Sequence, residues 1–396
     1  MKSYKLKEIC NKITDGSHNP PKGVETSEYL MLSSKNINND LITYSDPRYL
    51  QKDMFELENK RTNIERGDIL LTIVGTVGRC AVYDSDEKVV FQRSVAVIKP
   101  NKEIVDSRFL MYKLISMTNY FEKEARGVAQ KGIYLKQLAD IEIKLPNLEM
   151  QKKIVYTLDS AKVLLDKRGV QITLLDQLVK SRFIEMFGDP VNNPRGWKKA
   201  ICKDITSKIG SGATPKGGNS SYKEEGISLI RSMNVHNNKF IIKDLAFIDD
   251  EQAQKLNNVI VEENDILLNI TGASVARCCI VPNELIPARV NQHVAIIRSK
   301  NEEILPIFLV YQFTNDSYQR LLWDIATSGG ATREAITKQQ IENLELIVPP
   351  IELQNQFEDF VNKVDKLKFA MESSLKELEN NFNSLMQKTF NGELFN

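Results

Sequence analysis

Two long stretches of the chain carry apolar residues at alternating spacings of four and three. In the first stretch these positions include Leu158, Leu165, Ile172, Leu175 and Val179. In the second they include Phe357, Val364, Leu367, Leu378 and Leu385. A mean spacing of 3.5 residues keeps one face of a helix turned towards a partner helix. The pattern predicts two long helices that pair as an antiparallel coiled coil.

Both predicted helices have matching boundary signals. The first begins after Pro146 and ends at Gly188, and the second begins after Pro349 and ends at Gly392. Both starts share the pattern Pro-x-Leu/Ile-Glu-x-Gln. Glycine accepts the left-handed conformation that closes a helix, and proline marks a helix start. The first helix would be roughly 55 Å long at about 1.5 Å per residue, which is long for a helix inside one core.

The segment that precedes each predicted helix is repeated. Both copies begin with an amphipathic stretch and a Gly turn, and both contain the sequence Asp-Ile-Leu-Leu. The matched pairs are 6–16 with 202–212, 29–37 with 228–235, 67–82 with 264–281, and 91–99 with 290–298. The offset between the copies drifts only from about 196 residues at the start to 203 at the helices, and such self-similarity indicates duplication of one structural unit. The sequence therefore predicts an internal pseudo-twofold repeat.

Short apolar runs within each repeat are typical of strands. They are rich in Ile, Val and Thr and are bounded by Gly, Asn or Asp. Residues 68–74 should form a buried strand, followed by a tight Gly turn at 75–78 and a return strand at 79–82. We predict the α+β class, with two strand-rich domains separated by the two long helices. The predicted boundaries are 1–145, 146–190, 191–348 and 349–396.

Composition limits the possible functions. The chain has 396 residues, 42% of them hydrophobic, and its net charge is +1. No apolar run approaches the length of a membrane span, and the first residues lack an apolar signal core, so we expect a cytoplasmic protein. The five cysteines form no CxxC pair and are expected to be reduced and buried.

Enzyme signatures are absent from the sequence. It contains no phosphate-binding P-loop and no GxGxxG motif. The three histidines lie far apart along the chain, which argues against a metal triad or a Ser-His-Asp triad. The sequence Asn-Pro-Pro-Lys at 19–22 differs from the Asn-Pro-Pro-aromatic motif of amino-methyltransferases because Lys22 replaces the stacking aromatic residue. We therefore expect no catalytic residues and no metal site.

Polar loops at equivalent places in both repeats are the candidates for binding. Arg, Lys, Asn and Gln can read base edges, and small residues let backbone amides approach phosphates. Asn and Gly also build turns, so each single residue has a structural alternative. The candidates in the first repeat are Lys22, Ser34, Lys35, Asn36, Thr76, Arg79, Gln92, Arg93, Arg126, Lys131 and Tyr134. Those in the second are Thr214, Lys216, Arg231, Ser232, Asn234, Ser274, Arg277, Asn291, Gln292, His293, Thr332 and Arg333.

The order of these features resembles the specificity subunit of a type I restriction-modification system, over essentially the whole chain. The resemblance rests on the duplicated Asp-Ile-Leu-Leu segments and on the two Pro-x-Leu/Ile-Glu-x-Gln helices. It implies two target-recognition domains, each reading half of a bipartite asymmetric site in double-stranded DNA. It also implies that the helices set the spacer and dock two methyltransferase subunits, through which two motor-nuclease subunits join.

The resemblance assigns all catalysis to the partner subunits. S-adenosylmethionine, ATP and Mg²⁺ would bind there, and this chain would bind no cofactor. A competing hypothesis from another class is a structural adaptor whose coiled coil spaces two protein-binding domains. The adaptor predicts no sequence-dependent DNA affinity and no steep salt dependence, whereas the DNA-binding hypothesis predicts both.

Overall fold

The computed structural model describes residues 2–125, 132–215, 217–300, 302–328 and 334–394, apart from the side chain of residue 219. By its internal contacts the chain divides into two compact units. Unit 1 comprises Met1–Gly169 with Ser373–Asn396, and unit 2 comprises Val170–Glu372. Both boundaries fall inside the long helices, so each globular segment is grouped with the adjacent halves of these helices.

Unit 1 is a mixture of short strands and helices that leads into the first long helix. Its strands are β1 Lys2–Lys5, β2 Cys10–Asp15, β3 Tyr29–Leu32, β4 Ile37–Asn38, β5 Leu41–Ile42, β6 Arg48–Leu50, β7 Ile69–Thr72, β8 Cys80–Val82, β9 Lys88–Phe91, β10 Val95–Pro100 and β11 Glu142–Leu145. Its helices are α1 Lys52–Thr62, α2 Ser107–Ser116, α3 Thr118–Glu124, α4 Leu135–Ala139 and the start of α5 Leu148–Phe187.

Two sheets pack face to face in unit 1. The larger sheet is antiparallel with the order β2-β10-β7-β8, and the smaller has the order β6-β3-β9 with β3 and β9 parallel. Leu70 and Val97 point into the core between the two sheets, while Leu71 and Ile98 point into the core under the helices. Successive strand residues face opposite sides, and both sides are covered here, which explains why the three residues after Asp68 are all apolar.

Unit 2 repeats this arrangement and leads into the second long helix. Its strands are β12 Lys199–Ile201, β13 Thr206–Ser211, β14 Ile227–Ile230, β15 Val235–His236, β16 Lys239–Phe240, β17 Ala246–Ile248, β18 Ile260–Val261, β19 Ile266–Asn269, β20 Cys278–Ile280, β21 Ala288–Val290, β22 Val294–Ser299 and β23 Glu345–Ile347. Its helices are α6 Asp250–Gln254, α7 Pro306–Phe313, α8 Asp316–Thr327, α9 Lys338–Glu342 and the start of α10 Ile351–Asn391.

The sheet topology confirms the repeat that the sequence predicts. The larger sheet of unit 2 has the order β13-β22-β19-β20, which corresponds strand for strand to β2-β10-β7-β8. The smaller sheet has the order β17-β14-β21-β18, again with one parallel pair, here β14 and β21. The units differ most after β6 and β17, where the 11-residue α1 of unit 1 corresponds to the five-residue α6 of unit 2.

The long helices α5 and α10 run antiparallel within each unit. In unit 1, Leu158 of α5 lies in one apolar cluster with Phe382 and Met386 of α10. In unit 2, Phe183 of α5 packs edge-on against Phe357 of α10, with ring centroids 5.5 Å apart. The prediction of two long paired helices is confirmed. No helix in the described part of the chain is both long and apolar enough to cross a membrane.

The row of residues along α10 that faces α5, which we call the seam, differs from the predicted one. Leu367 was assigned to the seam, but 48% of it is exposed. The seam instead continues from Val364 to Lys368, four residues on, where the half-buried Lys368 pairs with Asp176 of α5. Phe382 packs in the seam without having been predicted. Two four-three patterns one residue apart coexist in this helix, and only packing distinguishes them.

The other predicted seam residues are buried to different degrees. Leu158, Leu175, Val179, Phe357 and Val364 are buried, whereas Leu165, Ile172, Leu378 and Leu385 are half-buried.

A buried glutamine at the start of each long helix explains the shared Pro-x-Leu/Ile-Glu-x-Gln pattern. The Oε1 atom of Gln151 accepts from Asp106 N at 2.8 Å, and its Nε2 donates to the carbonyls of Ile104 and Pro146. Gln354 makes the equivalent bonds to Leu305 N, Glu303 O and Pro349 O. Both side chains are 0% exposed. Gln151 therefore ties α5 to the loop before α2, and Gln354 ties α10 to the loop before α7.

Gln354→Leu should destabilise unit 2 by about 3 kcal/mol, because it leaves three buried backbone groups without partners. Both tryptophans, Trp197 and Trp323, lie in unit 2, so tryptophan fluorescence during urea unfolding measures this unit. The exposed Gln356→Leu, two residues away, is the control and should change stability by less than about 0.5 kcal/mol. Equal effects of the two variants would contradict an anchoring role for Gln354.

Candidate nucleic-acid interface

The topology of unit 1 gathers its polar loops at one end of the two sheets. In the antiparallel larger sheet, β2 and β7 end at the same end of the sheet at which β8 and β10 begin. The parallel strands β3 and β9 also end there. Loops 33–36, 73–79 and 92–94 therefore lie side by side. We call this surface, together with residues 132–134, the unit 1 tip.

Hydrogen bonds between the loops fix the unit 1 tip. Ser34 N donates to Ser94 Oγ at 3.2 Å, which joins the loop after β3 to the loop after β9. Ile73 N donates to the carbonyl of Ser94 at 2.9 Å, and Ile133 N donates to the carbonyl of Ile73 at 2.9 Å. These bonds bring together loops that are separated along the sequence.

The unit 2 tip, formed by loops 231–234, 270–277, 291–293 and 334–337, has the same construction. Asn269 Nδ2 donates to the carbonyl of Ser232 at 2.9 Å. Ile270 N donates to the carbonyl of His293 at 3.0 Å, and Ile336 N donates to the carbonyl of Ile270 at 2.8 Å. The structure therefore brings together the corresponding loops that the sequence analysis matched between the repeats.

A glycine at the end of β2 and of β13 permits the close approach of two strands at each tip. A Cβ atom on Gly16 would lie 1.9 Å from the carbonyl oxygen of Phe91, and one on Gly212 would lie 1.7 Å from that of Val290. Any side chain at these positions would overlap the backbone of the neighbouring strand. This close approach is the physical reason for the Gly turn repeated in both copies.

Three predicted base-reading asparagines are buried, which corrects their assignment. Asn36 is 1% exposed, and its amide bonds to Ser33 N and to the carbonyl of Ser45. Asn234 is 0% exposed and bonds to Arg231 N and Ile241 O in the same way. Asn291 is 4% exposed and accepts from His293 N. Short polar side chains often bond to their own loop, so these residues hold the tips in shape.

The remaining candidates at the unit 1 tip are accessible to different degrees. Arg93 is exposed, and its side chain makes no ion pair or hydrogen bond within the described residues. Arg79 is half-buried, with its Nη1 atom 3.3 Å from Asn38 Oδ1, and Lys35 pairs with Asp46 at 2.6 Å. Ser34 and Gln92 are half-buried, while Thr76 and Tyr134 are exposed.

Lys22 lies outside the central loops of the unit 1 tip. It is exposed on the segment that runs along the edge strand β6, where Val24 forms a bridge with Tyr49. Arg48 of β6 donates to the carbonyl of Pro21 at 2.9 Å. Lys22 therefore extends the polar surface towards the edge of the smaller sheet.

A polar chain centred on His293 distinguishes the unit 2 tip. His293 Nδ1 lies 2.6 Å from Thr271 Oγ1, and His293 Nε2 lies 3.1 Å from Gln292 Nε2. Gln292 Oε1 in turn accepts from the hydroxyl of Thr214. Thr271 was not predicted, because a single threonine at the end of a strand carries no distinctive sequence signal.

The two arginines of the unit 2 tip are held differently. Arg231 is half-buried, lies over the ring of Tyr222 at 5.4 Å, and donates to the carbonyl of Asp244. Arg277 is half-buried, and its guanidinium makes no ion pair or hydrogen bond to the described residues. Ser232 and Ser274 are both half-buried. Arg277 is thus the less constrained of the two cations.

A charged cluster beside the unit 1 tip was not predicted from the sequence. The nearly buried Asp15 bonds to His18 Nε2 at 2.8 Å and to the guanidinium of Arg61. Arg61 belongs to α1, 46 residues from Asp15. Only the fold brings these residues together.

Five candidates lie outside the described residues, namely Arg126, Lys131, Lys216, Thr332 and Arg333.

The described residues contain no group of three or more His, Cys, Asp or Glu side chains that could hold a metal ion. Burial raises the pKa of the Cys10 and Cys202 thiols to about 12, which keeps both protonated at neutral pH. A protonated thiol is a poor nucleophile and a poor metal ligand. Cys10 and Cys202 are therefore structural thiols, and the two tips offer hydrogen-bonding groups and arginine side chains.

Comparison with known families decides the assignment. The model of the type I restriction modification DNA specificity domain matches residues 1–167 and again residues 194–380. The chain belongs to this family. The double match corresponds to the two repeated units, and it confirms the family resemblance found in the sequence.

Relatives of the specificity subunit family extend over most of the chain. The type I restriction enzyme MjaVIII specificity subunit of Methanocaldococcus jannaschii is 20% identical over 351 residues, covering 86% of this chain and 82% of the relative. A crystal structure of the type I restriction-modification S subunit from M. genitalium superposes with a TM-score of 0.53 at 15% identity, covering 98% of this chain and 96% of the other.

A second solved structure supports the same fold. It comes from work on complex assembly and conformational transition of the type I R-M system. It superposes with a TM-score of 0.59 at 16% identity and covers 98% of this chain and 97% of the other. The predicted α+β architecture with two strand-rich domains and long helices is therefore confirmed at the level of the fold.

Arg277→Ala should weaken specific DNA binding by about 1–3 kcal/mol, the range for losing a good base contact. The melting temperature should change little, because the guanidinium has no partner in the described structure. Fluorescence anisotropy with the target duplex and thermal unfolding measure the two effects. Asn234→Ala is the contrasting variant, and it should lower the melting temperature by leaving the backbone groups of its loop unbonded. A larger loss of stability than of affinity in Arg277→Ala would mean that this arginine is structural.

Proposed function

We propose that this chain selects the DNA sequence for a type I restriction-modification complex and has no catalytic activity of its own. Each unit would read one half of an asymmetric bipartite target with the loops of its tip. The two long helices would set the length of the unread spacer. Membership of the DNA specificity domain family supports a role in selecting DNA. The matched construction of the two tips supports the assignment of one half-site to each unit.

The observation that carries this proposal is that equal scaffolds present unequal side chains. The buried Asn36 and Asn234 hold equivalent loops with equivalent hydrogen bonds. At the solvent-facing positions of the next loop, Arg93 in unit 1 corresponds to Gln292 in unit 2, by the alignment of the two repeats. Arginine favours guanine, and glutamine favours adenine. Two such tips are suited to two different half-sites.

The long helices have the dimensions of a spacer. Each spans about 40 residues and is therefore roughly 60 Å long at about 1.5 Å per residue. With about 3.4 Å per base pair and about 10 base pairs per turn, this length corresponds to roughly 18 base pairs, or more than one and a half turns of DNA. The antiparallel packing of α5 and α10 within each unit supports a stiff connection.

Exposed apolar side chains on the helices support docking of partner subunits. In unit 1, Tyr156 is 76% exposed, and Val163 and Leu164 are also exposed. In unit 2, Leu174 and the 72%-exposed Phe369 are in the same situation. Exposed apolar residues clustered on a long helix are typical of interaction surfaces. We assign this surface to two methyltransferase subunits, which would carry S-adenosylmethionine, with two ATP- and Mg²⁺-dependent motor-nuclease subunits attached through them.

Adenine methylation in the source cell tests the proposed function directly. Methylation-sensitive sequencing of the genome with and without this gene should show loss of methylation at one interrupted, asymmetric motif. Restoring the gene should restore the same motif. If purified chain with its co-purified subunits binds DNA without sequence preference or steep salt dependence, the adaptor hypothesis replaces this proposal.

Deleting one heptad from each helix should shorten the preferred spacer and leave both half-sites unchanged. Residues 163–169 and 375–381 lie in the paired halves of α5 and α10 within unit 1. Their removal shortens each helix by about 10 Å, close to three base pairs. Sequencing the methylated motif of cells that carry the variant measures both properties. An unchanged spacer would exclude the helices as its determinant.

A further inference from the structure

A basic groove runs along the edge strand β13 of unit 2. It has a volume of about 610 Å³ and is open to solvent along one side. The turn Asn257–Val259 forms one wall, and α9 forms the other. Its charged lining residues are Lys203, Lys208, Lys338 and Glu342. Three ammonium groups against one carboxylate make the groove positive.

Two of these lysines are not neutralised by the protein. Lys338 lies 3.5 Å from Glu342, so this pair contributes little net charge. Lys203 and Lys208, by contrast, make no ion pair or side-chain hydrogen bond to any described residue. The strand β13 leads directly to Gly212 and Thr214 at the unit 2 tip. Lys208 lies on this strand, and Lys203 lies in the short 3-10 turn Cys202–Asp204 just before it. The unpaired charge therefore lies beside the strand that leads to the unit 2 tip.

The equivalent lysines of unit 1 already bond to other groups of the protein. Lys7, which aligns with Lys203, pairs with Asp140 at 2.8 Å. Lys12, which aligns with Lys208, donates to the carbonyl of Arg61 at the end of α1. Neither partner has a counterpart bonded to Lys203 or Lys208 among the described residues of unit 2. The shorter α6 of unit 2 ends at Gln254 and has no residue equivalent to Arg61 at its end. Gln137 of α4 and Gln340 of α9 make equivalent bonds at the starts of their helices, and this alignment places Asn343 at the position of Asp140.

We propose that the β13 groove binds the sugar-phosphate backbone of the DNA that continues from the half-site read by unit 2. This inference rests on the proposed function and extends the DNA interface beyond the tip on one side of the target only. Lysine contacts phosphate as a point charge, without regard to base sequence. The groove would therefore add affinity and salt dependence without adding specificity.

The test compares two matched double variants of the full-length chain, each with the same co-purified subunits. Lys203→Gln/Lys208→Gln should reduce the slope of log affinity against log salt by roughly 1.8, since each phosphate contact contributes about 0.9. Affinity at 0.1 M salt should fall on the order of tenfold for target and non-target duplexes alike. The methylated motif should stay the same. Lys7→Gln/Lys12→Gln should leave the slope unchanged, because those lysines already bond to the protein.

A trimmed duplex adds a second readout. A duplex that ends at the outer edge of the unit 2 half-site should bind wild-type protein with the reduced slope and should show no further effect of the Lys203→Gln/Lys208→Gln change. If the Lys203→Gln/Lys208→Gln variant binds the full-length target duplex specifically and with the wild-type salt slope, the groove proposal is overturned and the proposed function is not. Equal slope losses in the two double variants would overturn the claimed difference between the units. Absence of specific binding in the wild-type protein would overturn the proposed function, and this inference with it.

Discussion

Both halves of the molecule depend on how each long helix is joined to the globular segment before it. Gln151 and Gln354 are fully buried and satisfy three backbone groups each, at the first turn of the helix and in the loop before the neighbouring helix. A buried amide with all its bonds made has one orientation, because rotating it would leave polar groups unpaired. The direction in which each helix leaves its domain is therefore fixed by hydrogen bonds as well as by apolar packing.

The same junction is reinforced differently in the two units. In unit 1, Arg108 of α2 binds Asp159 of α5 at 2.7 Å and Asp40 of the β4–β5 hairpin at 3.2 Å. In unit 2, a neutral bond from Thr314 to Asn238 joins the equivalent hairpin to α7. Within the part of the chain that the structure describes, an ionic network of this kind ties the β4–β5 hairpin to the long helix in unit 1 and has no counterpart in unit 2. Repeated backbones thus tolerate different polar chemistry at corresponding joints.

The sequence predicted the features that depend on periodicity and repetition. Alternating spacings located both helices, and the duplicated Asp-Ile-Leu-Leu segments located the strands at the centre of each core. It failed where two local patterns compete, since Leu367 and Lys368 both continue a four-three series and only the partner helix selects Lys368. It failed again at Asn36, because an asparagine that bonds to its own loop and one that faces a base look alike in sequence. Contacts between distant residues, such as Asp15 with Arg61, leave no local signal.

The buried framework and the exposed side chains of the tips are separate sets of residues, which suits the proposed reading of two different half-sites by one repeated scaffold. The residues that hold each loop in shape, including Gly16, Asn36 and their counterparts Gly212 and Asn234, are buried or pressed against a neighbouring strand. The exposed side chain of Arg93 makes no hydrogen bond or ion pair within the described residues, and only its backbone N–H takes part in the framework, by donating to the carbonyl of Ser17. Substitution at exposed positions usually changes stability by less than about 0.5 kcal/mol. The exposed side chains of a tip can therefore change while the fold, the junction with the long helix and the packing of the seam stay intact, and under the proposed function such changes would alter the half-site that is read.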